Sequence, residues 1–123
     1  MPQFEHGATT IYYEEQGSGF PLLLLAPGGM NSTVDRWANA TLNAFSVFGD
    51  HFRLVAMDQR NAGRSSGPLD IGDPWGSYAS DQLALLHHLG IESCHVMGCC
   101  IGCSFALKLL SLSPDRFAAA VLE

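Results

Sequence analysis

Positive charge is scarce in this 123-residue sequence: Lys and Arg together number 6 against 12 Asp and Glu, for a formal charge of -6. That deficit removes the long-range attraction a phosphate backbone or an anionic bilayer would need, and it excludes nucleic-acid and membrane-surface binding as functions. Long apolar runs are also missing. The most apolar stretch, Leu22 to Ala26, falls far short of a bilayer span. The first ten residues have neither the basic start nor the apolar run of a secretory signal, so a cytoplasmic location is expected. Cysteines are absent from most of the chain, and all four (Cys94, Cys99, Cys100, Cys103) crowd into ten positions. Neighbours that close constrain little as disulfides. No second Cys or His pair stands at zinc spacing, so no metal is expected.

What remains is ample for one domain over residues 1–123, with 47% hydrophobic and only 15% charged residues. Gln3 to His6 and residues 9 to 15 read as an opening hairpin. Pro21 to Ala26 is apolar on both faces, as a central buried strand must be. Helical spacing of Val34, Trp37, Ala38, Leu42 and Phe45 predicts a helix over Asn31 to Phe45, capped by Asn31 or Ser32. Phe52 to Met57 reads as a strand, Tyr78 to Leu89 as a helix stopped by Gly90, and Ser93 to Met97 as a strand. Cys103 to Leu112 follows as a helix ended by Ser113-Pro114, and Ala118 to Leu122 as a last strand. This alternation predicts an α/β fold: a mostly parallel sheet with helices on both faces and right-handed crossovers. Functional loops of such sheets lie at the carboxyl ends of the strands. Pro27-Gly28-Gly29, Asp58 to Ser65, and Gly98 to Gly102 all fall at that edge.

Gly98-Cys99-Cys100-Ile101-Gly102, between strand and helix, fits G-x-nucleophile-x-G. Its central residue sits on a strained turn, and the glycines are needed where strand and helix close together. Cys100 then lies at a helix N-terminus, where the dipole and unpaired N–H groups favour thiolate. The N–H of Ile101 points toward the same place and can donate to an oxyanion, with Gly29 as the second donor. Cys94, Cys99 and Cys103 read as small apolar packers. Cys100-Ile101-Gly102-Cys103 is also a C-x-x-C at a helix start, a redox arrangement that leaves Gly98, Gly28-Gly29 and the Asp58 loop unexplained.

Together, Pro27-Gly28-Gly29, Asp58-Gln59-Arg60-Asn61-Ala62-Gly63-Arg64-Ser65 and the elbow make the sequence resemble the α/β-hydrolase superfamily over essentially its whole length. In that family these positions hold a His-Gly oxyanion loop, D-x-R-G-x-G-x-S and the nucleophile elbow. Here Pro27 stands in place of the His. Cys100 stands in place of the Ser, as in dienelactone hydrolase-like members. The resemblance implies a hydrolase or acyltransferase acting on an ester, thioester or lactone carbonyl through Cys100, without a cofactor, on a small-molecule acyl substrate. It implies that Asp58 and Arg60 brace the edge rather than react. None of His6, His51, His87, His88 and His95 is placed as a catalytic base. Family chain order runs nucleophile, acid, base, so acid and base are expected in later strands, with the fold truncated after the strand that follows the elbow helix. The chain alone is then expected to be inactive in turnover, and to self-associate or pair with a missing C-terminal half. The competing class is a non-catalytic binding protein that keeps the pocket.

Overall fold

The computed structural model describes residues 2–123. Among these residues six strands form one sheet. Strands β1 (Gln3–His6) and β2 (Thr9–Gln16) make the expected hairpin, and β2 also pairs antiparallel with β4 (Arg53–Met57). From there the pairing is parallel: β3 (Pro21–Leu25) lies between β4 and β5 (Cys94–Gly98), and β5 pairs with β6 (Phe117–Leu122).

The central position of β3 explains its composition. Leu23 and Leu25 face one layer with Val55, Met57 and Val96, whereas Leu22 and Leu24 face the other with Leu54, Ala56 and Met97. Helices α2 (Pro74–His88) and α3 (Ile101–Leu112) cover the first face through Leu85, Leu86, Phe105, Ala106 and Leu109. The second face is covered by Trp37 and by the short helix α1 (Ala44–Phe48). Burying such side chains is the main favourable term of the fold, at about 1.5–3 kcal/mol each. Strand β6 pairs with β5, and all its residues after Phe117 are exposed.

The single helix expected over Asn31 to Phe45 is not formed. That stretch contains 3₁₀ turns at Gly29–Asn31 and Val34–Asn39, extended residues at Ser32, Thr33 and Ala40, and then α1. Tertiary bonds outcompete the helical ones. Ser32 Oγ donates to the Ala26 carbonyl at 2.7 Å, and the Val34 N–H donates to Asp58 Oδ1 at 2.8 Å. Helix α2 starts earlier than Tyr78 because Asp73 caps it, accepting from the Gly76 N–H at 3.0 Å, with Pro74 in its first turn. Helix α3 likewise starts two residues before Cys103, directly after Cys100.

Candidate active site

Register sets the site. Leu25 pairs with Gly98, so the loop after β3 and the loop after β5 leave the sheet side by side. The Cys99 N–H donates to the Leu25 carbonyl at 3.1 Å, and Cys100 then takes φ 57°, ψ −116°. A side chain at positive φ costs roughly 1–2 kcal/mol, which packing around it must offset. Asn61 is the other such non-glycine residue among the described residues. The turn presents Cys100 to solvent while Cys99 and Cys103 are half-buried and Cys94 is buried.

The two glycines make this crossing possible by their lack of volume. A Cβ on Gly98 would collide with the Gly102 carbonyl and lie 2.8 Å from the Cys103 nitrogen. One on Gly102 would collide with the Leu25 carbonyl, whose carbon would be 2.9 Å away. Both contacts are with backbone, which cannot rotate aside.

The backbone donors around Cys100 divide into used and available. Its own N–H donates to the Glu123 carbonyl at 3.0 Å, and the Glu123 N–H returns a bond to Gly98 at 2.9 Å. Ile101 opens the twelve-residue helix α3, so its N–H has no intrahelical acceptor. The positive end of that helix favours negative charge developing beside it. Gly28 (φ 122°) and Gly29 (φ 57°) turn the neighbouring loop, which the Ser32–Ala26 bond ties down. Nothing lies within 4 Å of where a Gly29 Cβ would be, so that residue faces open space.

Asp58 and Arg60 brace this edge. Fully buried Asp58 accepts from the N–H of Val34 at 2.8 Å and from the N–H and Nε of Arg64 at 2.9 and 3.2 Å. The Arg64 guanidinium in turn lies 3.7 Å from the centre of the Tyr12 ring. Arg60 is paired to buried Asp81 of α2 through two bonds of 2.7 and 2.8 Å. Sequence reasoning did not find this pair. Its one signal was a carboxylate, Asp81, on the same face of α2 as the core residue Leu85.

The thiols differ by their surroundings. Burial pushes Cys94 up to about 11, with Arg116 opposing weakly. Burial also raises Cys99, with further contributions from Glu123, Cys100 and Cys103. The histidines are engaged elsewhere. His6 Nε2 meets Ser80 Oγ at 2.9 Å, and His88 stacks on Phe4. His95, at the opposite end of β5 from the elbow, packs on Phe20 and Phe52. His87 lies in the last turn of α2 and His51 in the turn before β4.

Beside the elbow opens a cavity of about 290 Å³, walled by Gly29, Met30, Trp75, Tyr78, Ile101 and Phe105. Trp75 is thus a half-exposed wall residue, whereas Trp37 is fully buried core.

The family profile for the alpha/beta hydrolase fold matches residues 21–123. A Variovorax paradoxus protein provisionally named carbamate hydrolase RutD is 30% identical over 112 residues, covering 91% of this chain and 41% of the relative. A non-heme chloroperoxidase of Streptomyces lividans is 31% identical over 116 residues, covering 93% of this chain and 40% of that protein. This chain therefore spans about two fifths of the length of these curated relatives. Among solved structures, a Nostoc protein provisionally described as an alpha/beta hydrolase superposes with a TM-score of 0.84 at 27% identity, over 98% of this chain and 41% of its own. An N-acyl homoserine lactone degrading enzyme superposes at 0.78, also at 27% identity, over 98% and 44%.

Proposed function

The chain belongs to the alpha/beta hydrolase fold family, and from that premise we propose that it carries the nucleophile and oxyanion donors of a hydrolase or acyltransferase acting through Cys100. The observation that carries this reading is the elbow itself: an exposed thiol at φ 57°, held between two glycines that admit no Cβ, at the start of α3.

The Cys100 sulfur attacks the carbonyl carbon of an ester, thioester or lactone, forming a C–S bond and placing negative charge on the carbonyl oxygen. The N–H groups of Ile101 and Gly29 receive that charge. Collapse of the tetrahedral species breaks the bond to the leaving group, which departs and takes up a proton. A thioester on Cys100 remains. Water regenerates the thiol and releases an acid; an alcohol or thiol acceptor would carry the acyl group away instead. The lactone-degrading neighbour supports a lactone among the substrates, and the name of the Variovorax relative adds the carbamate as a related carbonyl.

The location of all five histidines away from the elbow bears on the second half of this cycle. A thioester clears slowly without a base to activate water. Incubation of the chain with 4-nitrophenyl acetate, followed by mass spectrometry, tests the reading. One acetyl group on Cys100, absent from Cys100→Ala, with no sustained release of nitrophenol, is the expected result. Acetylation elsewhere with Cys100 untouched would overturn it. Sustained turnover lost in Cys100→Ala would instead place a base within these 123 residues.

A further inference from the structure

We infer that the cavity beside the elbow is the acyl subsite, and that it selects an uncharged, apolar acyl group; this rests on Cys100 being the nucleophile. The argument begins with where the cavity starts. Two of its wall residues, Gly29 and Ile101, are the residues whose N–H groups would hold the carbonyl oxygen. A carbonyl seated between them has one substituent directed into the space those same residues enclose.

The rest of the wall defines what can enter. Phe105, 3% exposed, forms the floor from α3. Tyr78 and Trp75 of α2 stand against it with ring centres 4.9 and 5.6 Å from that of Phe105. Met30, 74% exposed, flanks the opening from the oxyanion loop, its sulfur 4.0 Å from the Tyr78 hydroxyl. No wall residue carries a charge. The nearby guanidinium of Arg60 is committed to Asp81, so an acyl carboxylate would enter without a partner. Aromatic rings around a thioether favour an alkyl or aryl chain of several carbons.

Binding and chemistry can be read separately. In the first arm, the non-reacting probe 1-hexanol is titrated while tryptophan emission is followed. Trp75 lines the cavity and Trp37 is fully buried, so a change reports the cavity. A saturable change is expected, retained in Cys100→Ala and weakened about 10-fold in Met30→Glu, which sets a carboxylate at the mouth. In the second arm, single acylation of Cys100 by 4-nitrophenyl hexanoate is compared with acetate, each normalised to its reaction with free cysteine. The hexanoyl ester should react about 10-fold faster or more. Equal normalised rates would overturn the subsite while leaving Cys100 as nucleophile. The absence of any saturable hexanol signal, or its indifference to Met30→Glu, would overturn it too. Hexanol binding without acylation by either ester would remove the nucleophile assignment and the acyl role together.

Discussion

Arg60 grips Asp81 with two parallel hydrogen bonds, 2.8 Å from Nε and 2.7 Å from its terminal nitrogen, and so ties the loop after β4 to the middle of α2. Asp81 is fully buried and the Arg60 side chain is 14% exposed, so the pair is shielded from solvent. Removing one partner of such a pair strands the other. Asp81→Ala should cost about 3 kcal/mol in urea denaturation, and the double variant Arg60→Met, Asp81→Leu should cost less than Asp81→Ala alone. A cost below about 1 kcal/mol for Asp81→Ala would show that water screens the pair after all.

Gly98 and Gly102 should accept no side chain. Because the colliding atoms are backbone carbonyls and an amide nitrogen, Gly98→Val or Gly102→Val must push α3 off the sheet. Loss of soluble protein, or of about 3 kcal/mol or more, is expected. Gly29→Ala provides the contrast: its Cβ would meet nothing, leaving only the strain of φ 57°, about 1–2 kcal/mol. Equal melting temperatures for the two valine variants and the wild type would contradict the elbow geometry.

Iodoacetamide should find Cys100, Cys99 and Cys94 in that order. Cys100 is exposed and should be modified first, and peptide mapping after limited labelling reads this directly. Cys99 should lag because burial raises its thiol, and Cys94 should be modified last because burial lifts it to about 11. Cys94 or Cys99 labelling ahead of Cys100 would be incompatible with this structure.

Cys94 also makes stability depend on alkaline pH. Its folded value, about 11, lies above the ordinary thiol range near 8.5–9 that it regains on unfolding. The folded state therefore keeps this contribution fully below about pH 8.5 and loses it as pH rises toward 11. Of order 2 kcal/mol is at stake across that window. Thermal melts from pH 8 to 11 should show a steeper decline for the wild type than for Cys94→Ala. Parallel curves would show that the buried thiol does not titrate with unfolding.

Much of the architecture could be read before any coordinates. The β3 run is apolar on both faces because it is central, and the glycine spacing around Cys100 marks the crossing of β5 and α3. Local pattern failed where distant residues decide the conformation. The helix expected over Asn31 to Phe45 is broken by Asp58, twenty-four positions from Val34, and by the Ser32–Ala26 bond. Periodicity cannot register a carboxylate supplied by the distant loop after β4. The start of α2 was legible in principle, since Asp73-Pro74 is an N-cap followed by a first-turn proline. The cavity was only half legible. Gly29 and Ile101 are marked by the glycine pattern, but the approach of Trp75 and Tyr78 to Phe105 requires α2 and α3 to pack.

The Cys99 amide donates to the Leu25 carbonyl, and Gly102 packs closely against that same carbonyl, so the bond opens only when β3, β5 and α3 separate. Its deuterium exchange should belong to the slowest class, governed by global opening. The next amide along, that of Cys100, is held by Glu123 on the exposed β6 side and should exchange through local opening at that edge. Two consecutive peptide groups should thus differ in protection, with the exposed thiol on the boundary between them.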